Sequence, residues 1–280
     1  MYYKVLSPHP SLRSFIGCYW ILKTGARFAT RQEVIIPDGY GEIIFNLGAL
    51  YPWQPAGSGP SRVIRNTHLV GQRNTSVTVA LPARLYQVGV KLKPTAMRNL
   101  LGLPPDELTN SLVHASDVGS HALSELAEQL HEAACEDRQG QLLDRFFGQK
   151  SAIGGKADAV TGQAIHCILE QKGMLRVDEL KNDLGIDYRT LERRFRTATG
   201  LTPKEFARII RFKNAYKAFR GNHARDAFFF LDCGYYDQSH FIREFRHFMG
   251  STPGAFHAGR TPVSDAILRQ GLSEGVRSGT

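Results

Sequence analysis

Gly234-Tyr235-Tyr236-Asp237-Gln238-Ser239-His240-Phe241-Ile242-Arg243-Glu244-Phe245-Arg246, closed by Gly250-Ser251-Thr252-Pro253, is the second of two related segments. The first stands 50 positions earlier as Asp187-Tyr188-Arg189-Thr190-Leu191-Glu192-Arg193-Arg194-Phe195-Arg196, closed by Gly200-Leu201-Thr202-Pro203. Each opens on an Asp suited to cap a helix, repeats apolar residues four apart, and stops at a Gly that favours a helix end. Each therefore predicts one short, basic, amphipathic helix.

What precedes these helices predicts their setting. Val177 to Leu184 is a short amphipathic run ended by Gly185, and a tight turn leads into Asp187. Phe229 to Cys233, Gly234 and Asp237 repeat that order with one more residue in the turn. Helix, glycine turn, helix is the order of a helix-turn-helix, whose second helix lays its N-terminal side chains against base edges. Between the two units, Pro203 to Arg220 predicts one helix with Phe206, Ile209, Ile210, Ala215 and Phe219 inward and Arg208, Arg211, Lys213 and Lys217 outward. At ~1.5 Å per residue it spans about 27 Å, close to the ~34 Å recurrence of major grooves on one face of B-DNA.

Charge follows the same division. Residues 172–260 carry 17 Lys+Arg against 10 Asp+Glu, and the rest of the chain is nearly balanced at 18 against 16. A basic module beside a neutral one suits contact with phosphate.

The run Leu191-Glu192-Arg193-Arg194-Phe195 with Gly200-Leu201-Thr202-Pro203-Lys204-Glu205-Phe206, and above all Gly234 to Phe245 with Gly250 to Pro253, resembles the AraC/XylS family of transcriptional regulators. The resemblance covers roughly residues 157–258. It implies a seven-helix domain with two helix-turn-helix units on a shared helix, and it implies an activator. One departure stands out. The helix before each recognition helix usually has Ala after its apolar anchor, whereas Lys181 and Phe230 stand there, and their bulk argues for shifted or splayed units.

The first half reads differently. Phe15–Leu22, Glu33–Ile36, Glu42–Leu47, Val77–Leu81 and Tyr86–Leu92 are rich in β-formers and separated by turn signals such as Pro37-Asp38-Gly39. Helical spacing follows at Thr95–Leu101 and across Ser120–Phe147. Ile36-Pro37-Asp38-Gly39, Glu42 to Gly48, Val70-Gly71-Gln72 and Gly89 to Pro94 resemble the domain that precedes such readers in some members, which in the family is often a cupin-like barrel that senses a ligand or dimerises. The expected architecture is α+β: a β-barrel or cupin-like regulatory domain with flanking helices at residues 1–150, an all-α DNA-binding domain at 157–260, and a flexible tail at 261–280.

The amphipathic pattern selects the reading side chains. With Leu191 and Phe195 inward, Arg189, Glu192, Arg193 and Arg196 project outward; with Phe241 and Phe245 inward, Gln238, Ser239, His240, Arg243 and Arg246 do. Arg pairs bidentately with guanine, Gln with adenine, and Glu accepts from cytosine.

Catalysis lacks a matching apparatus. His9, His68, His114 and His121 form no His-x-His pair, so neither a metal nor another cofactor is expected, and no hydrolase or phosphate-binding motif occurs. A metal-dependent cupin-type enzyme is one alternative. A DNA-repair sensor that accepts alkyl groups on Cys18, Cys135, Cys167 or Cys233 is another, but none of these has an activating setting. Double-stranded DNA is the expected partner, joined by RNA polymerase, a small-molecule effector at the N-terminal domain and a second copy of the chain. No stretch approaches the ~20 apolar residues of a membrane helix, and a cytoplasmic location is expected.

Overall fold

The computed structural model describes residues 1–55, 60–153, 158–221 and 228–256. Nine of the ten described strands come first, interrupted only by a 3-10 turn at Pro10–Leu12, and two α-helices precede the tenth. The strands are β1 (Tyr2–Leu6), β2 (Ile16–Lys23), β3 (Arg31–Ile35), β4 (Gly41–Asn46), β5 (Tyr51–Pro55), β6 (Arg62–Ile64), β7 (His68–Val70), β8 (Val77–Leu81), β9 (Tyr86–Leu92) and β10 (Leu112–His114). They form a six-stranded sheet, β1-β2-β9-β4-β7-β10, and a four-stranded sheet, β3-β8-β5-β6. All pairings are antiparallel.

The central strand β4 is buried on both faces, and its Ile43-Ile44-Phe45 run is apolar without interruption for that reason. Ile43 and Phe45 point to a core built with α1 (Ala96–Leu101), α3 (His121–Glu132) and α4 (Glu136–Ile153). Ile44, between them, points instead to the second sheet and joins Trp20, Tyr51, Trp53, Val79 and Leu81. Gly89 lies opposite Trp20 in the ladder, and a Cβ there would fall 2.0 Å from the indole Cε2. The indole therefore lies over the Gly89 backbone, in space that only glycine leaves open.

Six further helices follow or intervene: α2 (Pro105–Leu108), α5 (Ala159–Glu170), α6 (Val177–Asp183), α7 (Tyr188–Thr199), α8 (Pro203–Arg220) and α9 (Phe229–Asp232). The last described helix is α10 (Gln238–Met249). The α8 helix is the axis of this half. Its Phe206, Ile209, Ile210, Phe212 and Tyr216 meet Leu191 and Phe195 of α7 and Phe241, Phe245 and Phe248 of α10 in one core. Phe212 stacks on Phe248 with ring centroids 4.4 Å apart.

Most of the sequence expectations hold within a residue or two. The strands β1, β5, β6, β7 and β10 were not expected: three of them have only three residues, and β5 contains Pro52 and Pro55. The α4 helix runs three residues past the expected boundary at 150. Lys213 departs from its expected position, being buried rather than outward, because its helix face meets the sheet domain and not solvent. Phe230 is buried in the helical core, nearly parallel to Phe241 at 6.4 Å, so its bulk is absorbed by packing. Lys181 is half-buried and pairs with Asp178 at 3.7 Å. The expected tail at 261–280 lies outside the described residues.

Candidate nucleic-acid interface and its seam with the sheet domain

The two basic helices have the same local construction. The Asp187 carboxylate accepts from the Thr190 N–H at 2.9 Å, and that of Asp237 accepts from the His240 N–H at 2.6 Å. Both N-termini thus lose an orphan donor to an acidic cap. The other ends close on Gly200 and Gly250, each in the left-handed region with its N–H bonded back to Arg196 or Arg246. Ahead of each helix stands another left-handed glycine, Gly185 or Gly234.

Burial then sorts the faces. Leu191, Phe195, Phe241 and Phe245 are buried. Arg189, Arg193 and Arg196 on α7, and Gln238, Ser239, Arg243 and Arg246 on α10, are exposed. Glu192 is half-buried and pairs with Arg196 at 3.3 Å. His240 is half-buried, edge-on to the Tyr235 ring at 5.2 Å, so like Glu192 it is a member of the expected set engaged with protein. The rotation of α10 is held by Glu244, a buried carboxylate that Arg208 of α8 grips through Nε at 2.9 and 2.8 Å and Nη2 at 2.7 Å. Two exposed aromatics at the helix starts, Tyr188 and the 88% exposed Tyr236, escaped the sequence reading, which searched for polar readers only.

The sheet domain grips this module from one side. Gly39, at φ +84°, lets the Pro37–Gly39 turn lie against Phe206 and Ile210, and a Cβ there would sit 3.0 Å from the Phe206 ring. Lys213 Nζ donates to the Asp38 carbonyl at 3.0 Å, and Gln72 Nε2 donates to the Gly39 carbonyl at 2.9 Å. The Asp38 carboxylate is ion-paired with Lys91, which also approaches Glu42 at 3.7 Å. Further along, Thr109 Oγ1 donates to the Gly200 carbonyl at 2.8 Å and Arg98 Nη1 to the Thr197 carbonyl at 3.4 Å, both at the C-terminal end of α7. Asn74 reaches Glu205 at 3.3 Å, and its carbonyl meets His247 Nε2 at 3.1 Å. Every one of these contacts avoids the exposed face of α7 and α10 named above.

Electrostatics inside the seam are tight. Burial would raise the Asp38 carboxyl, but Lys91 and Lys213 pull it below the ordinary range. Burial pushes the Glu42 carboxyl up. It lowers Lys213 to about 8, Asp38 only partly offsetting the cost of desolvation. Asp38, Glu42, Gln72 and Lys91 all fall in stretches singled out in the sequence, yet nothing there assigned them a role, because their partner on α8 is 175 residues away in the case of Asp38.

Behind the seam, between the two sheets, is a cavity of about 50 Å³. Trp20, Tyr51, Trp53, Val79 and Leu81 form apolar wall, and Glu42, Arg73 and Gln87 are the polar exceptions. His68 is not a ligand-like histidine: it bonds Tyr51 Oη at 2.9 Å and the Asn66 carbonyl at 2.9 Å, and burial lowers it to about 4. Among the described residues, no three His, Cys, Asp or Glu side chains cluster as a metal site would require, and no helix is long and apolar enough to cross a membrane.

Residues 180–259 match a family described as a helix-turn-helix domain, and residues 4–114 match one described as a domain of unknown function. No curated protein matches the chain by sequence. Among solved structures, ToxT from Vibrio cholerae O395 is 15% identical over 91% of this chain and 97% of its own, with a TM-score of 0.45. A ToxT structure from strain SCE256 with bound unsaturated fatty acid gives 16%, 84%, 94% and 0.41. The AraC-like transcriptional activator CuxR gives 13%, 77%, 87% and 0.26.

Proposed function

We propose that this chain is a DNA-binding transcription regulator of the AraC family and that it reads one asymmetric site through two units on the same chain. α7 and α10 enter adjacent major grooves, and the protein acts as an activator. The observation that supports this most directly is the repeated construction of α7 and α10: an Asp cap, a buried apolar stripe, an exposed polar face and a glycine stop.

Arg189, Glu192, Arg193 and Arg196 form the first reading face, and Gln238, Ser239, His240, Arg243 and Arg246 the second. Arg193 and Arg243 are the base readers of each set, while Arg196 and Arg246, nearer the helix ends, meet phosphate. Tyr188 and Tyr236 flank the two faces. The reader spans residues 157–260 and the sheet domain residues 1–150. That first domain takes a small-molecule effector in its cavity and passes the event to α8 through the Asp38–Lys213 seam. RNA polymerase and a second copy of the chain are further partners.

Selection of bound sequences from a random duplex library, run with wild type, Arg193→Ala and Arg243→Ala, tests the reading. Two blocks about one helical turn apart are expected, each mutation relaxing its own block by ~1–3 kcal/mol of discrimination. Affinity should fall with salt at a slope of about −0.9 per phosphate neutralised. Recovery of one block, unaffected by Arg243→Ala, would reject the second unit as a reader.

A further inference from the structure

We infer that the cavity between the sheets binds a small apolar α-amino acid, its carboxylate on Arg73, its ammonium on Glu42 and its side chain against the apolar wall. This rests on the proposal that the first domain takes an effector.

The two charged groups on that wall are both unfinished. Arg73 is 5% exposed, its Nε has no hydrogen-bond partner, and its Nη1 makes one long bond of 3.4 Å to the Ile35 carbonyl. Glu42 is 7% exposed, and its Oε1 has no hydrogen-bond partner, its nearest cation being Lys91 at 3.7 Å. Lys91 is already committed to Asp38. Among the described residues, Arg73 and Glu42 make no ion pair with each other, although both line the same cavity. A buried guanidinium has only donors to offer and a carboxylate mainly acceptors. Leaving either unmatched in a dry site is destabilising.

A ligand that satisfies both must present an anion and a cation a short distance apart. A carboxylic acid alone leaves Glu42 open, and an amine alone leaves Arg73 open. The α-amino acid carries both on one carbon. Part of the remaining wall chooses its side chain: Leu22, Val77, Val79 and Leu81 have no polar side-chain atom, so an aliphatic group is favoured over a polar one where the ligand meets them. The Trp20 and Tyr51 rings beside Glu42 suit an ammonium, through their negative faces. Size sets a limit as well. At ~10–15 Å³ per water by this measure, the space holds three to five waters, about the bulk of a molecule with five to eight heavy atoms.

The test uses the intact protein and three probes of matched skeleton: L-valine, isovalerate (acid without amine) and isobutylamine (amine without acid). Calorimetric titration should show stoichiometric binding of L-valine, with each single-ended probe at least tenfold weaker. Arg73→Gln and Glu42→Gln should each weaken L-valine at least tenfold, and circular dichroism should show both variants folded. Isovalerate binding as tightly as L-valine, with Glu42→Gln neutral, would replace the amino acid with a simple acid and overturn the inference; so would the mirror result with isobutylamine. Absence of binding by all three would overturn it too. If either variant fails to fold, the three-probe comparison on wild type still decides. Gel shift on a duplex recovered by the selection above is run alongside: specific DNA binding with no L-valine binding sinks only the ligand assignment, and loss of both sinks the regulator reading.

Discussion

Lys213 Nζ, 1% exposed in the middle of α8, donates at 3.0 Å to the backbone carbonyl of Asp38, whose own carboxylate is held by Lys91. A cation from the DNA-binding half is therefore buried inside the sheet domain's turn. It touches a carbonyl, not a free carboxylate, so its charge is only partly compensated, which is the physical reason it sits near 8.

That depression has a sign. An unfolded Lys keeps its proton up to about 10.4, whereas folded Lys213 loses it near 8, so between these values the unfolded state binds more protons and stability rises with pH. Urea unfolding at pH 8 and 9.5 should show wild type gaining on the order of 1–2 kcal/mol from this group. Lys213→Met should lack that gain and, by loosening the seam, change how DNA affinity responds to an effector. An equal gain in the variant would reject the assignment.

His68 makes the opposite end of the pH range sensitive. Its proton is refused in the fold until about pH 4, whereas the unfolded chain accepts it near the ordinary value of 6.5. Stability falls as pH drops through that window, by roughly 3 kcal/mol for this residue. His68→Gln, which keeps a side-chain amide for Tyr51, should flatten the fall between pH 6.5 and 4; chemical denaturation at three pH values measures it.

The caps of α7 and α10 are separable. Asp187→Ala and Asp237→Ala should each cost about 1 kcal/mol of stability. Each should also weaken only its own block of the recognition site, since the substitution frays one N-terminus and leaves the other. Loss of both blocks from a single substitution would show that the units do not act independently.

Gly89→Ala tests the register of the sheet sandwich. The added methyl meets the Trp20 indole at 2.0 Å, so the ring must leave its place, at a cost of ~1–3 kcal/mol or more. A lowered melting temperature with altered tryptophan fluorescence is expected, and an unchanged protein would contradict the Trp20–Gly89 pairing.

The helical half was legible because its information is local. The capping Asp, the apolar residues four apart and the glycine stops all lie within one or two turns of one another, and they recovered α7, α8 and α10 nearly to the residue. Burial went wrong at one instructive point. Lys213 carries a charge that any periodicity rule sends outward, and only the second domain, packed on that face of α8, reverses it. In the sheet half, β4, β8 and β9 were readable from runs rich in β-formers, while β6, β7 and β10 are too short to leave a pattern and exist because neighbours supply their hydrogen bonds.

By itself the sequence determined the repeated basic helix and its polar faces, since a helix of 3.6 residues per turn sorts side chains by spacing alone. Only the tertiary structure decided that Asp38 meets Lys213 and that Arg73 and Glu42 share a cavity without pairing. Those are matters of distance between residues remote along the chain, which no local period encodes.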